Sequence, residues 1–248
     1  MDSMHLDSYL EFGRLVNATK DAEEGSDIYD SYLHLFLLTR YDMGPIYTAG
    51  VRVEATKLQI ASDDSKTDFD LVRPYLRFLK FDLPYEITMG TTARVVLPAN
   101  TASRDIQTFK GGLGLAETVS FGKLNLQVVM EFQQNFHEKK TLDDEDKSVN
   151  TDKTAALTLK QNIKLSKKFS LILTGIYSTA WDYEGEMNES YYIDQSIAYD
   201  LNDSWGIYLT HSVTGPLFKY DEEGDPHQNF SLISPENSYL ATGLTFNF

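Results

Sequence analysis

The sequence predicts an all-β chain, folded as one up-and-down antiparallel transmembrane β-barrel of about 12 strands. Three observations predict it. Apolar and polar residues alternate with period two in one segment after another. The connections between segments alternate between short and long, as they do in a meander whose two ends differ. Aromatic residues gather near segment ends, where rings with an apolar body and a polar tip suit a membrane interface.

Composition agrees. The 248 residues include 15 Tyr, 14 Phe and 15 Gly among many Ser and Thr, a mixture that favours strands over helices. No window approaches about 18 consecutive apolar residues, so no transmembrane helix is expected. Barrel strands of about ten alternating residues escape such a test, because their average hydropathy is unremarkable. With no cysteine there is no disulfide framework, thiolate metal site or thiol nucleophile. A formal charge of -15 argues against a nucleic-acid partner, whose phosphates would be repelled. The N-terminus "MDSMHLDSYLEFG" lacks a basic end followed by an apolar run, so the chain is either cytosolic or a processed form.

In chain order, the first segment, 5 to 16, leads through the acidic loop "NATKDAEEGSD" to 28 to 40, and the turn "YDMGP" returns the chain along 46 to 60. The loop "SDDSKTD" precedes 69 to 81, which "DLP" joins to 85 to 97. After "PANTASRDIQT" come 109 to 120 and 123 to 136, joined by "FGK". The loop "HEKKTLDDEDKSVNTD" leads to 154 to 165, and "SKK" to 169 to 182. The "EGEMNE" loop, 190 to 201, "NDS" and 205 to 214 follow, before a long loop and the closing segment, 237 to 248. Nothing in composition divides the chain, so 1 to 248 is read as a single domain.

Alternation alone serves a soluble barrel with oil inside or a membrane barrel with oil outside. Segment 123 to 136 sets Leu124, Leu126, Val128, Met130 and Phe132 against Asn125, Gln127, Glu131 and Gln133. Three features favour the membrane. Tyr41, Tyr47, Phe81, Tyr85, Phe121, Phe169, Tyr199 and Trp205 lie beside the tight turns, and Tyr29, Phe69, Tyr177, Trp181, Tyr183 and Tyr191 nearer the long loops. The polar faces are rich in Gly, Ser, Thr, Asn and Gln, as a wet interior would be. Third, the chain closes with "YLATGLTFNF", in which Gly243, Phe246 and Phe248 sit on a strand that ends with the chain. This stretch resembles the C-terminal assembly signal of bacterial outer-membrane β-barrels. The resemblance implies an outer-membrane location in a Gram-negative cell and recognition by the barrel assembly machinery. It also implies short periplasmic turns, long acidic extracellular loops, and outer-membrane lipid and lipopolysaccharide as surroundings.

If the polar parity lines the lumen, Arg52, Arg73, Arg77, Arg94, Lys110, Lys160 and Lys164 make one wall basic, with Glu131 interrupting it. Asp7, Glu11, Asp30 and Asp194 make another wall acidic. Opposed charges across a narrow wet passage would orient and select small polar solutes. Arginine's rigid fork grips carboxylates, so acidic solutes such as sugar acids are expected. Two interiors fit these residues: a solute-conducting lumen, and a closed one filled by mutual charge pairing. The acidic loops serve either as a solvated surface or as bridges, through divalent cations, to lipopolysaccharide phosphates.

No enzyme, cofactor or metal site is expected. Membrane-barrel phospholipases place His and Ser two apart on one strand, whereas His211 and Ser212 here are adjacent and face opposite sides. Gln161, Gln195 and His211 fall on the lipid parity and mark a candidate partner face, so a non-conducting scaffold that binds a protein or a second copy is the alternative function. Glu117 on the same parity and Pro74 inside a strand also depart from the pattern, with bulges as one remedy.

Overall fold

A strand with two unlike faces must give each its own solvent, and a chain of such strands does so by closing on itself. The computed structural model describes residues 3–15, 29–44, 47–60, 65–98, 109–141, 149–220, 226–228, 230, 232 and 238–247. The strands are β1 (Ser3–Leu15), β2 (Tyr29–Met43), β3 (Tyr47–Ile60), β4 (Ser65–Leu83), β5 (Ile87–Val96), β6 (Phe109–Phe121) and β7 (Leu126–His137). They continue with β8 (Thr151–Lys164), β9 (Phe169–Asp182), β10 (Met187–Asp200), β11 (Trp205–Pro216), β12 (Phe218–Tyr220), β13 (Pro226–Gln228) and β14 (Ser238–Asn247). All except β12 and β13 form one closed antiparallel barrel in chain order, sealed by β14 pairing with β1. Among the described residues no helix is long and apolar enough to cross a membrane.

The barrel is inside out relative to a soluble protein. Large apolar side chains of one parity are solvent-exposed all round it, among them Leu35, Val51, Leu76, Leu115, Met130, Phe132, Leu159, Leu209 and Leu240. Strands of 14 residues, such as β8 and β9, extend about 46 Å. At a tilt of about 40° they stand about 35 Å tall, enough to cross an apolar layer of about 25 to 30 Å. Closure pairs every strand edge, which hydrocarbon requires because it offers no hydrogen bonds.

The two ends differ. At the short-turn end, tight left-handed residues reverse the chain: Tyr85 (φ 67°) and Glu86 (φ 59°) between β4 and β5, and Asn125 (φ 47°) between β6 and β7. An exposed aromatic band rings this end, with Tyr41, Tyr47, Phe81, Tyr85, Phe169 and Trp205. Trp205 meets Phe246 at a ring distance of 4.2 Å, and Phe169 meets Tyr199 at 4.7 Å.

The expected second band holds in part. Tyr177 is exposed on the outer parity, the side chains of Tyr29 and Phe69 lie outside the described residues, and two others depart from the band. Tyr183 turns onto the wall, its hydroxyl donating to the Asn135 carbonyl at 3.2 Å while Lys140 lies over its ring at 5.5 Å. Tyr191 is buried on the outer parity, with Phe230 of the β11–β14 connection 5.1 Å from its ring. Val213 and Ser238, also of the outer parity and paired in register, are completely buried. This connection also contains the small hairpin β12–β13, whose three-residue strands leave too little pattern to read in sequence. A further difference lies between β9 and β10, where "EGEMNE" does not form a long loop. The Asp182 carboxylate accepts from the backbone N–H of Glu184 and Glu186, and Gly185 (φ 90°) closes a tight turn.

Pro74 finds a place that spares its missing N–H. The β4–β5 ladder ends at Tyr75 opposite Arg94, and the next link is an isolated bridge from Val72 to Leu97. Pro74 therefore faces β5 where the ladder is already open.

Candidate functional site

Register and alternation decide which side chains enter the barrel. On β3, β4 and β5 the parity opposite to the exposed apolar set holds Arg52, Arg73, Tyr75, Arg77 and Arg94. Arg52 lies directly opposite Arg73, and Tyr75 opposite Arg94. Like charges placed opposite each other repel, so the wall needs carboxylates between them. Glu54 supplies one to Arg52 through Nε. Glu131 supplies one to Arg94, held by Nη1 at 2.5 Å and Nη2 at 2.9 Å. Arg52 also sits over the Phe36 ring at 5.1 Å.

Arg40 on β2 extends this wall and pairs with Asp7 at 3.6 Å. Sequence reasoning passed over it, although it is the last residue of the expected segment 28 to 40 and shares its parity with the expected Asp30. Small residues make room for the long side chains. Tyr75 lies across Gly50, where a Cβ would come 2.5 Å from its hydroxyl oxygen, and Arg94 lies across Gly114.

The opposite wall is acidic but caged by hydroxyls rather than cations. Asp194 accepts from Tyr192 at 3.0 Å and from Ser196 at 2.7 Å, and Ser196 meets Thr210 at 2.5 Å. Glu11 accepts from Tyr208 at 2.8 Å. Between the walls Tyr9 stacks on Phe36 at 4.6 Å and meets His34 edge-on at 5.4 Å. Tyr9, Tyr75, Tyr192 and Tyr208 are interior residues that charge counting overlooked, although Tyr9 shares its parity with Asp7 and Glu11.

The remaining expected residues divide. Lys160 and Lys164 lie on the interior parity of β8, exposed and without an ion-pair partner among the described residues. Lys110 stands at the start of β6, at a bulge. The β6–β7 register shifts between Phe109 and Gly111, and this bulge leaves Lys110 at the long-loop rim, paired to Glu138 at 2.7 Å. Both partners of that pair are more than half exposed, and Lys110 holds the Glu138 carboxyl below its ordinary pKa. The side chain of Asp30, and all of Phe248, lie outside the described residues. Gly243 is buried beneath Tyr208, where a Cβ would meet the ring at 2.4 Å, so the glycine of the closing motif also has a local packing role.

Gln161, Gln195 and His211 do face outward, and no bulge returns them to the interior. Gln195 lies opposite His211, and Leu173 links Gln195 to Gln161, so the three share one row across β8 to β11. Ser212 points inward, where it donates to Asp194 at 3.4 Å, so it and His211 stand on opposite sides of β11. Glu117 is likewise outward and exposed, accepting from the Thr91 hydroxyl at 2.8 Å. A cavity of about 690 Å³ indents the outside over Pro74, Leu76, Ala93, Val95, Leu113 and Phe132. Among the described residues no group of three His, Asp or Glu could hold a metal ion.

No family model and no curated protein matches the chain. Solved structures do resemble it. An outer membrane channel from Pseudomonas putida F1 is 11% identical with a TM-score of 0.58, covering 99% of this chain and 95% of its own. An active-site mutant of outer membrane phospholipase A from Escherichia coli is 12% identical with a TM-score of 0.50, covering 97% of this chain and 89% of its own. Identities this low speak for fold and not for activity. Closure, strand number, the apolar exterior and these likenesses agree: the chain has the fold of a bacterial outer-membrane β-barrel.

Proposed function

We propose that the chain is an outer-membrane channel that passes small polar, acidic solutes through its charged interior, with the long loops outside the cell and the short turns in the periplasm. The observation that carries this is the arginine wall of β2 to β5 facing a wall of carboxylates and hydroxyls. Such a transverse arrangement orients solutes that bear an anionic end and hydroxyl groups. An outer membrane channel shares this fold, so the fold is compatible with the function. No catalytic role is assigned to any residue. Planar-bilayer recording of the refolded protein tests the proposal: anion preference is expected, and reduced when Arg52, Arg73, Arg77 and Arg94 are changed to Ser. Cation preference that persists in that variant would rule it out.

A second function, a non-conducting barrel that binds a partner or a second copy, is favoured by the outward row of Gln161, Gln195 and His211. Polar side chains facing hydrocarbon gain from hydrogen bonds supplied by another protein. Purification in mild detergent separates the two. A stoichiometric companion with no conductance supports the scaffold, and a lone conducting barrel removes it.

A further inference from the structure

The channel proposed above leaves open which acidic solutes its basic wall takes, and the ion pairing of that wall narrows the class. Arg40 is matched by Asp7, Arg52 by Glu54 and Arg94 by Glu131. Arg77 lies toward the short-turn end, in the field of Asp42. Arg73 has no such match. It faces Arg52 across the ladder and lies in the combined field of Arg94, Arg52, Glu131 and Glu54, but, as for Arg77, no carboxylate among the described residues is within ion-pair distance of it. Its Nε is shielded from solvent with no acceptor. A guanidinium held by no wall group keeps its terminal N–H pair for whatever occupies the lumen.

Counting charge at this level of the wall, the guanidiniums of Arg52, Arg73 and Arg94 are opposed by Glu54 and Glu131, which leaves one positive charge. Two residues along the same face, Tyr75 offers a hydroxyl with no hydrogen-bond partner among the described residues. We propose that Arg73 anchors a site for a single carboxylate on a hydroxylated monocarboxylic acid, with Tyr75 meeting a ligand hydroxyl. The planar fork of Arg73 matches the two oxygens of one carboxylate. A second carboxylate on the ligand would face Glu54 and Glu131, while Lys160 and Lys164, unpaired among the described residues, stand away on β8, toward the short-turn end, so dianions are disfavoured. Glu131 thus does more than steady Arg94: with Glu54 it sets the charge the site accepts.

The test is calorimetric titration of the full, detergent-purified chain with gluconate and with succinate, folding being verified for each variant by heat-modifiable migration. Gluconate is expected to bind more tightly than succinate, and Arg73→Gln to weaken gluconate by about tenfold or more, the loss of a charged hydrogen-bonded contact. Glu54→Gln and Glu131→Gln each add one net positive charge and are expected to move the preference toward succinate. Two such variants are used because Glu131→Gln leaves Arg94 without its partner and so risks the fold. Unchanged gluconate binding in Arg73→Gln would overturn the site. So would an unmoved gluconate to succinate ratio in the glutamate variants, or equal displacement of gluconate by inorganic phosphate. A barrel that binds gluconate but passes no current loses the channel and keeps the site. One that conducts but binds no gluconate loses the site and keeps the channel.

Discussion

Arg94 on β5 reaches across the full width of β6 to hold Glu131 on β7 by two hydrogen bonds. Gly114 lies opposite Arg94 in register, and a Cβ there would come 2.7 Å from Arg94 Nε and 2.9 Å from its Cγ. A glycine in mid-strand ordinarily weakens a sheet. Here it is the floor along which a nearly buried guanidinium reaches its carboxylate, so the pair depends on three strands and not two.

Gly114→Ala is therefore expected to displace Arg94 and lower stability by about 1 to 3 kcal/mol, the usual cost of overpacking. Urea unfolding in detergent measures it. Adding Arg94→Gln should make the alanine cost much smaller, because the clash is with the arginine stem. Equal costs in both backgrounds would show that Gly114 matters for another reason.

The two faces of β8 should tolerate charge differently. Leu157 is on the exposed apolar parity and its neighbour Thr158 on the interior one. Leu157→Arg is expected to cost about 2 to 4 kcal/mol if it sits near the bilayer midplane, and Thr158→Arg far less. Folding titrations into lipid vesicles read both. Similar costs for the two would contradict the assignment of faces.

Much of this was legible in the sequence, and the reasons are physical. A side-chain period of two is rigid, so each of the twelve expected segments overlaps a barrel strand, and the parities of Arg52, Arg73, Arg77 and Arg94 follow. The bulge at Lys110 was not legible, because one extra residue in a glycine-rich strand start leaves the local pattern intact. Nor was the cover over Tyr191, which depends on Phe230 of a connection returning to the barrel from far along the chain. Ion pairing was the least accessible part. Glu54 meets Arg52 two residues along the same face of β3, but that Glu131 belongs to Arg94 depends on a side chain reaching across Gly114, and charge counting knows nothing of reach.

The outer cover gives a third expectation. Phe230→Ala should uncover Tyr191 and lower stability by about 0.5 to 1.5 kcal/mol beyond the lost area, the usual worth of an aromatic pair. Limited proteolysis of the 217 to 237 connection should quicken as well. No change in cleavage would mean that the ring contact does not hold the connection down.

The absence of native cysteine makes the central claim directly measurable. Single cysteines placed in turn from 127 to 133 on β7, spin-labelled in lipid vesicles, report oxygen and water-soluble quencher access position by position. Labels at 128, 130 and 132 are expected to favour oxygen, as in hydrocarbon, and those at 127, 129, 131 and 133 the aqueous quencher. The reverse alternation, with 128, 130 and 132 shut away from both in a protein soluble without detergent, would contradict the account.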